Sequence, residues 1–381
     1  MQKEMNDKGI IMSLIIQFIK KNIVLVIAIL AAVVTSIIVP PDSEYLNYFD
    51  FKTLVCLFCV LAVVCAFKNI NFFYIIALNI VRVFRSLRMS ILVLVYITFI
   101  GSMLIANDMA LLTFLPLGYY ILVTAEKQEY MAFVFIMQNI AANLGGMLTP
   151  FGNPQNLYLY SFFNISNSEF IQIMFPPFII SIVLITVCCL FVKNEPLLIK
   201  EQVYTPLNPK RTVAYSILFA LAIAIVFRGI PYYWGLVVIF ISLLILDRKA
   251  LKMVDYPLLL TFVCFFIFAG NMARMDVIRD LFSYLLSQNT LLFSICSCQV
   301  ISNVPSAILL SQFTDNYADL LVGVNIGGTG TLIASLASLI TFREYTKNNP
   351  KKTGYYIGLF SVFNFGFLII LTAAMFLLKL C

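Results

Sequence analysis

Long apolar stretches, separated by short polar segments, follow one another along almost the whole chain. The clearest of them have a length and purity typical of helices that cross a lipid bilayer; they cover residues 23–39, 171–192, 212–227 and 355–378. No stretch shows the strict apolar–polar alternation of a half-buried strand. Because backbone in lipid must satisfy its own hydrogen bonds, the spans are predicted to be helical. The pattern predicts an all-α polytopic membrane protein.

Two pairs of apolar segments look too short to cross a membrane singly. Residues 91–105 and 109–123 are joined at the polar positions 106–108, and residues 290–301 and 305–314 are joined at Ser302 and Asn303. A full crossing needs ~20 residues. Each pair is therefore predicted to form a re-entrant hairpin, with its tip inside the membrane.

Two longer apolar segments are interrupted in their middle. Residues 131–163 contain two prolines and a glycine within 149–156, and residues 319–342 contain three glycines within 327–330. Such residues cannot continue a helix. Irregular backbone at membrane depth is tolerated only where it lines a cavity or is buried in protein. Both segments are predicted to be broken helices.

The remaining segments complete an in-and-out path. A basic amphipathic helix is expected along the inner face at 70–88, and another helix along the outer face at 272–288. Residues 193–211 read as a polar loop. The path divides the chain into a first half (1–192, hairpin near 89–123), a connecting loop and linker helix (193–232) and a second half (233–381, hairpin near 290–314).

The two broken segments resemble each other in sequence. Residues 143–157 read NLGGMLTPFGNPQNL and residues 325–339 read NIGGTGTLIASLASL. They align without a gap, so that identical residues pair as Asn143 with Asn325, Gly145 with Gly327, Gly146 with Gly328, Thr149 with Thr331 and Leu157 with Leu339. Each is preceded by a predicted hairpin tip, IAND at 105–108 and ISNV at 301–304. Paired interruptions in two halves of opposite orientation are the pattern of a transporter's substrate site.

Composition and charge agree with this path. The chain is 62% hydrophobic and 11% charged, with a mean hydropathy of +0.98, which excludes an ordinary soluble domain. The net charge of +7 follows topology rather than a nucleic-acid partner, because most basic residues fall on the predicted inner side. The exceptions are Lys52, Arg228, Arg274, Arg279 and Lys379. The positive-inside rule then places the N-terminus in the cytoplasm and the C-terminus outside, in a cytoplasmic (inner) membrane, with no evident cleavable signal peptide.

The predicted tips and breaks supply neutral polar groups and helix ends. Helix N-termini attract anions, and freed backbone carbonyls coordinate sodium. The candidate substrate-binding residues are Asn107, Asn153, Asn156, Ser302, Asn303 and Ser335. The candidate cation- or proton-coupling residues are Asn107, Asp108, Thr149, Gly152, Asn303, Gly327, Gly328 and Thr331.

Asp108 is the one acidic residue that the path places at membrane depth. A carboxylate there is costly and is by default a functional candidate. In a chain without histidine, it is also the plausible proton carrier. The structural alternative is a helix cap, in which the carboxylate accepts backbone N–H bonds. Its counterpart in the second half, Val304, is apolar.

Other chemistries are disfavoured by what the chain lacks. Nine cysteines lie mostly within apolar segments and no histidine is present, so a transition-metal site is not expected. The chain has no HExxH or GxSxG motif and no second acidic residue at predicted membrane depth. It therefore lacks the sequence signatures expected of an intramembrane enzyme. The two interruptions are single copies of opposite orientation, unlike the ring of equivalent filters in a channel. No cofactor is expected besides Na⁺ or H⁺ as coupling ion.

Four segments together resemble the ion transporter superfamily, which includes arsenite permeases, sodium/proton antiporters of the D type, citrate carriers and divalent anion–sodium symporters. They are IANDMALLTFLPL, the GG-x-x-T-P-x-G-N-P-x-N run, ISNVPSAILL and NIGGTGTLIASLASLI. The Asn107–Asp108 tip resembles the arsenite-permease-like branch. Dicarboxylate symporters carry Ser-Asn-Thr at both tips, from which residues 106–108 and 302–304 depart. The resemblance implies a homodimer whose transport part moves against a scaffold as an elevator.

These features lead to one main functional hypothesis and two close alternatives. The main hypothesis is a secondary transporter of a small anion or oxyanion, coupled to Na⁺ or H⁺. The alternatives are a sodium/proton antiporter and an arsenite or antimonite efflux permease.

Overall fold

The structure, a computed structural model, describes residues 22–196 and 206–380 and is almost entirely helical over those ranges. The first half contains eight α-helices; their bounds are α1 Ile23–Ile38, α2 Phe51–Asn69, α3 Phe72–Arg82, α4 Leu87–Ile105, α5 Asn107–Thr124, α6 Met131–Gly145, α7 Pro154–Phe162 and α8 Asn167–Leu190. Residues 1–21, including the basic residues Lys3, Lys8, Lys20 and Lys21 that the predicted path places on the inner side, lie outside the described residues.

The second half follows after a linker helix, α9 (Pro209–Val226). Its helices are α10 Tyr232–Leu246, α11 Arg248–Met253, α12 Tyr256–Ala273, α13 Asp276–Ile301, α14 Asn303–Leu310, α15 Tyr317–Ile326, α16 Leu336–Asn348 and α17 Thr353–Leu380. Helix α13 is interrupted at Asn289, which has φ −165° and ψ 93°. Residues 276–288 and 290–301 are therefore two separate helical pieces, close to the predicted outer-face helix and hairpin arm.

Eight of these helices are long and apolar enough to cross a membrane, and no strand occurs in either described range. Several large apolar side chains on them face outward, among them Ile217 at 64%, Val362 at 70% and Ile369 at 65% exposure. A water-soluble protein rarely exposes such contiguous apolar surface, whereas lipid solvates it. The prediction of an all-α polytopic membrane protein is confirmed.

Both predicted hairpins turn at the predicted positions. The chain reverses at Ala106 between α4 and α5, which pack together, and at Ser302 between α13 and α14. Ala106 and Ser302 have φ values of 67° and 78° with ψ values of 150° and 158°. This region is essentially reserved for glycine and costs of order 1–3 kcal/mol for other residues. The surrounding contacts must hold each tip in place.

The boundaries differ from the sequence prediction in three places. The expected amphipathic helix at 70–88 ends at Arg82, because Ser86 caps a new helix, α4, by accepting a hydrogen bond from Met89 N. The first break is shorter than 149–156, because Pro154 starts α7 at a position where its fixed φ favours a helix. The second break is longer than 327–330 and extends to Ser335, which caps α16.

Two sets of helices pack into distinct bodies. Helix α1 packs along α12, and helices α9 and α10 pack along α2; we call α1, α2, α9, α10 and α12 the scaffold helices. Helices α4–α8 and α14–α17, with residues 290–301 of α13, pack among themselves and form what we call the core helices. Hairpin arm α5 packs on α16 of the other half, and hairpin arm α14 packs on α7 in the equivalent way.

The segment after α8 is held against the start of α4. Leu87 N donates to Glu195 O at 2.8 Å, Arg88 Nε donates to Val192 O at 2.6 Å, and the Lys127 ammonium forms an ion pair with the Glu195 carboxylate. The hydrogen bond and charge of Lys127 hold the pKa of Glu195 below its ordinary 4.5. The same contact raises the pKa of Lys127 above its ordinary 10.5.

This ion pair predicts a defined pH dependence of stability. A lowered carboxylate pKa stabilises the fold above pH 4.5, and this contribution is lost as the pH falls through the lowered value. The raised pKa of Lys127 contributes below 10.5 and is lost as the pH rises through it. Glu195→Gln should therefore lower Tm slightly between about pH 5 and pH 10, and not at lower pH. Asp315→Asn, at an exposed residue, serves as control; an equal difference at every pH would contradict the ion-pair account.

Candidate functional site

Each hairpin tip is bonded to the break of its own half. Asn107 N donates to Gly152 O at 3.0 Å, and Asn303 N donates to Ala334 O at 2.9 Å. Gly152 and Ala334 occupy the same position of the aligned segments 143–157 and 325–339. In each half, the first backbone N–H of the second hairpin arm thus bonds to a carbonyl that the break leaves without a helical partner. Backbone at membrane depth requires such pairing.

Three further pairs of contacts repeat between the halves. The Thr149 hydroxyl donates to Met103 O at 2.8 Å, and the aligned Thr331 hydroxyl donates to Gln299 O at 3.1 Å. Asn107 Oδ1 and Asn303 Oδ1 each accept the next backbone N–H at 2.9 Å. Gly145 packs on Ser102, and its equivalent Gly327 packs on Cys298. The repeat that was inferred from the sequence therefore extends to individual hydrogen bonds in the structure.

Crossed hydrogen bonds join the two halves at the centre. Asn153 Nδ2 donates to Asn325 Oδ1 at 3.0 Å, while the Ser335 hydroxyl donates to Asn143 Oδ1 at 2.8 Å. Asn153 and Ser335 are aligned positions, as are Asn143 and Asn325. All four are buried. Each break thus donates to the helix that leads into the break of the other half, α6 or α15.

The predicted substrate-binding residues gather around this crossing. Asn107 Nδ2 donates to Asn143 Oδ1 at 3.3 Å, and Asn325 Nδ2 donates to Asn156 Oδ1 at 2.6 Å. Asn303 Nδ2 borders Gly328, which also faces Asn143 Oδ1. Ser302 lies at the edge, where its hydroxyl donates to Ala334 O at 3.2 Å. No lysine or arginine belongs to the buried polar residues of the described chain, so an anion here would contact amides, hydroxyls and helix ends.

Asp108 directly follows Asn107 of this cluster, and its carboxylate has no hydrogen bond among the described residues. Its Oδ1 atom is buried and has no partner among the described residues. The N-cap position of α5 is Ala106, and the Asp108 side chain caps nothing. The cap alternative therefore has no support in the structure. Asn153 Oδ1 and Gln155 Oε1 are likewise buried acceptors without a donor, although buried polar groups are almost always paired.

Sequence reasoning assigned no function to four residues that the structure places in or beside the cluster. Asn143 and Asn325 are its central acceptors, and their signal was present as polar positions shared by the aligned segments. Gln155 was overlooked inside the run of the first break. Gln299 lies one turn before the second tip and contacts the second break, but its repeat counterpart is Met103, so the alignment hides it.

The core helices contact the scaffold unequally. Helix α7 packs on α2, and α14 packs on α12. The contacts related to these by the repeat, α5 on α2 and α16 on α12, are at most marginal. A cavity of about 190 Å³ lies instead between α5, the end of α2 and the start of α3. Lys68, Asn71 and Thr113 line it, and Asp108 lies about one turn from this lining on α5.

Comparison with known proteins decides the family. The model of a family described as "Citrate transporter" matches residues 10–321. This chain belongs to that family. The match includes both tips and the first break. It stops before the second break, whose contacts repeat those of the first.

Two curated relatives extend over most of the chain. An uncharacterized transporter of Methanocaldococcus jannaschii, MJ0456, is 34% identical over 342 residues, which cover 87% of this chain and 90% of the relative. The inner membrane protein YbiR of Escherichia coli is 28% identical over 302 residues, 77% of this chain and 80% of the relative. Together with the apolar helices, these findings make the protein an integral membrane transporter of anions.

The close approach of α4 and α6 behind the first break depends on Gly145. A Cβ atom at this position would fall on the Phe99 carbonyl oxygen and lie 2.7 Å from Ser102 Oγ. Backbone cannot yield as a flexible side chain does. Gly145→Ala should therefore lower the free energy of unfolding by about 1–3 kcal/mol, measured as a lower Tm of the detergent-purified protein.

Gly358 in α17 provides the matched control, because a Cβ there meets nothing within 4 Å. Gly358→Ala should leave stability unchanged or raise it by about 0.5–1 kcal/mol, since alanine loses less backbone entropy in a helix. Equal effects of the two substitutions would show that the α4–α6 approach does not limit stability.

Proposed function

We propose that the protein is a secondary active transporter that moves a small anion or oxyanion across the cytoplasmic membrane, coupled to Na⁺ or H⁺. The observation that carries this proposal is the pair of hairpin tips bonded to a pair of helix breaks around one shared, buried cluster of amides and hydroxyls. Such a site at the interface of inverted repeats is typical of alternating-access transporters. The proposal includes a cytoplasmic N-terminus and a homodimer.

The substrate site is proposed at the crossed hydrogen bonds. Helices α5, α7, α14 and α16 all begin there, so four positive dipole ends converge on the cluster. Their N-terminal N–H groups and the amides of Asn107 and Asn303 can bind carboxylate or oxyanion oxygens. Without a guanidinium or ammonium group in the cluster, a highly charged anion would bind poorly unless a cation partly neutralises it. The first two substrates to test are citrate, which the family's description names, and arsenite, which the Asn107–Asp108 tip suggests by its resemblance.

The coupling site is proposed between the first tip and the first break. Asp108 Oδ1, Asn153 Oδ1 and Gln155 Oε1 are buried oxygens without donors, and hard cations prefer oxygen ligands. The Thr149 carbonyl already accepts two hydrogen bonds, from Gly152 N and Asn156 Nδ2. The Gly152 carbonyl accepts one, from Asn107 N, and its second lone pair can bind a cation. A proton on Asp108 would neutralise the charge of its carboxylate, as a bound cation would. With Asp108 ionised, cation or proton binding should precede the anion.

The unequal packing of core on scaffold indicates how access changes. We interpret the contacts at α7 and α14 as closing one side of the site, and the cavity beside α5 as the opening on the other. Lys68 lies at this open side, which the positive-inside rule assigns to the cytoplasm. The core helices would move as a body relative to the scaffold, exchanging these contacts for their repeat-related equivalents, which is an elevator mechanism.

Removing the charge of Asp108 tests coupling. Asp108→Asn keeps the shape but cannot carry a proton and neutralises no cation, so gradient-driven uptake should fall at least tenfold. Uptake of labelled citrate and of arsenite into proteoliposomes would be measured under separate Na⁺ and pH gradients, with Asp315→Asn as control. Full driven uptake by Asp108→Asn would refute the coupling role. Na⁺/H⁺ exchange without anion flux would favour the antiporter instead.

The open cavity predicts one-sided labelling of α5. In a cysteine-free background, Thr113→Cys should react with a membrane-impermeant maleimide added from the cytoplasmic side, because Thr113 lines the cavity. The repeat-equivalent control is Leu309→Cys on α14, which is 5% exposed and should react slowly from either side. Equal labelling of both positions would contradict the proposed access.

A further inference from the structure

Arg228 joins the end of a scaffold helix to the end of a core helix. It follows shortly after α9, and its Nη2 atom donates to Tyr160 O, in the last turn of α7, at 2.9 Å. Its Nη1 atom donates at 3.5 Å to Asn164 O, just beyond α7. Its guanidinium carbon lies 4.3 Å from the centre of the Tyr160 ring, within the range of a cation–π contact. One side chain therefore makes three contacts across the boundary between the two bodies.

The partner of this cation is a helix end rather than a carboxylate. Carbonyls in the last turn of a helix lack helical donors and carry partial negative charge, so a cation is favoured there. Arg228 forms no ion pair with any described residue. By contrast Arg274 and Arg279, the other two arginines that the charge pattern places outside, pair with carboxylates. The charge of Arg228 thus acts on the end of α7.

The backbone at Arg228 has a conformation that favours glycine. Arg228 N donates to Ile225 O at 3.0 Å and Gly229 N donates to Ala224 O at 2.8 Å, which are the paired bonds of a Schellman motif at the end of α9. The motif holds Arg228 in the left-handed region, with φ 64°, where glycine is usual. The Nε atom is also buried without a partner among the described residues. A strained arginine at this position points to a role for its side chain.

The contact fits only one of the two proposed arrangements of core and scaffold. In the structure α7 packs on α2, and α9, which leads to Arg228, packs on α2 as well. The predicted path places the ends of α7 and α9 at the outer face, on the side that α7 and α14 close. If α5 replaced α7 on α2, the end of α7 would move away from the end of α9. The hydrogen bond from Arg228 to Tyr160 O would then break.

We propose that Arg228 is a latch on the outer face that holds the core in the arrangement open to the cytoplasm. This inference rests on the proposed elevator movement. It adds a residue outside the substrate and coupling sites that helps to set how the two arrangements are populated at rest. Opening of the outer side requires the guanidinium to exchange the end of α7 for water. Removal of the guanidinium should therefore raise the population that is open to the outside.

The test compares labelling of two single cysteines from the two sides of the membrane. Thr113→Cys lies in the cavity beside α5. Leu309→Cys is its repeat equivalent on α14 and would line the corresponding outer cavity after the movement. Each is introduced into the full-length, cysteine-free protein with and without Arg228→Gln, and a membrane-impermeant maleimide is added from either side. The matched control is Arg279→Gln, which removes a charge from the same predicted face but whose partner Asp276 lies on its own helix.

Arg228→Gln should raise the rate of outer labelling of Leu309→Cys about tenfold, the effect on an equilibrium of one hydrogen bond from a charged donor. Cytoplasmic labelling of Thr113→Cys should not rise, and Arg279→Gln should change neither rate. Arg228→Gly should act like Arg228→Gln without lowering Tm, because glycine adopts the left-handed conformation without strain. This second variant separates loss of the latch from loss of folding.

Three outcomes would overturn the latch. An increase at both cysteines would indicate general loosening of the packing. Cytoplasmic labelling of Thr113→Cys, with Leu309→Cys equally protected in the parent and in both Arg228 variants, would overturn the latch and leave the proposed access intact. Equal labelling of both cysteines already in the parent would contradict the latch and the proposed access together.

Discussion

The structure depends on one requirement, that backbone interrupted inside an apolar medium must find its hydrogen bonds within the protein. Two broken helices and two hairpin tips each leave unsatisfied groups, and the fold makes them satisfy one another. The bonds from Asn107 N to Gly152 O and from Asn303 N to Ala334 O are the direct result. They hold Ala106 and Ser302 in a conformation that other surroundings would not stabilise.

The polar cluster follows from the same requirement. Once the breaks are docked, their freed ends point toward the junction between the halves, where only neutral amides and hydroxyls are buried. Crossed bonds from Asn153 to Asn325 and from Ser335 to Asn143 then make the two breaks one site. Small residues such as Gly145 and Gly328 allow this proximity, because a side chain at either position would meet backbone or amide atoms. Binding chemistry and packing are thus inseparable here.

The lengths of the apolar stretches and their Gly or Pro interruptions were enough to predict the helices, both tips and both breaks. These features determine local structure without reference to the rest of the chain. Boundaries were less predictable, because they depend on caps such as Ser86 and Ser335 and on the helix-starting Pro154. Gln299 could not be assigned from sequence, as its importance arises from carbonyls 28 and 30 residues away along the chain. The sequence predicted Asp108 as an acid at membrane depth, but the burial of its Oδ1 atom without a hydrogen-bond partner required coordinates.

The core helices follow an internal repeat, yet they contact the scaffold helices unequally. This asymmetry has a consequence for the free energies of the two proposed end states. The repeat relates the α7–α2 contact to α16 on α12, and the α14–α12 contact to α5 on α2. Under the proposed elevator movement, the opposite arrangement would therefore need no new type of contact. Two end points built from equivalent interfaces start with similar free energies, and a difference of only 1.4 kcal/mol already shifts their populations tenfold. The positions at which the halves differ in sequence then decide which side of the membrane the resting molecule faces.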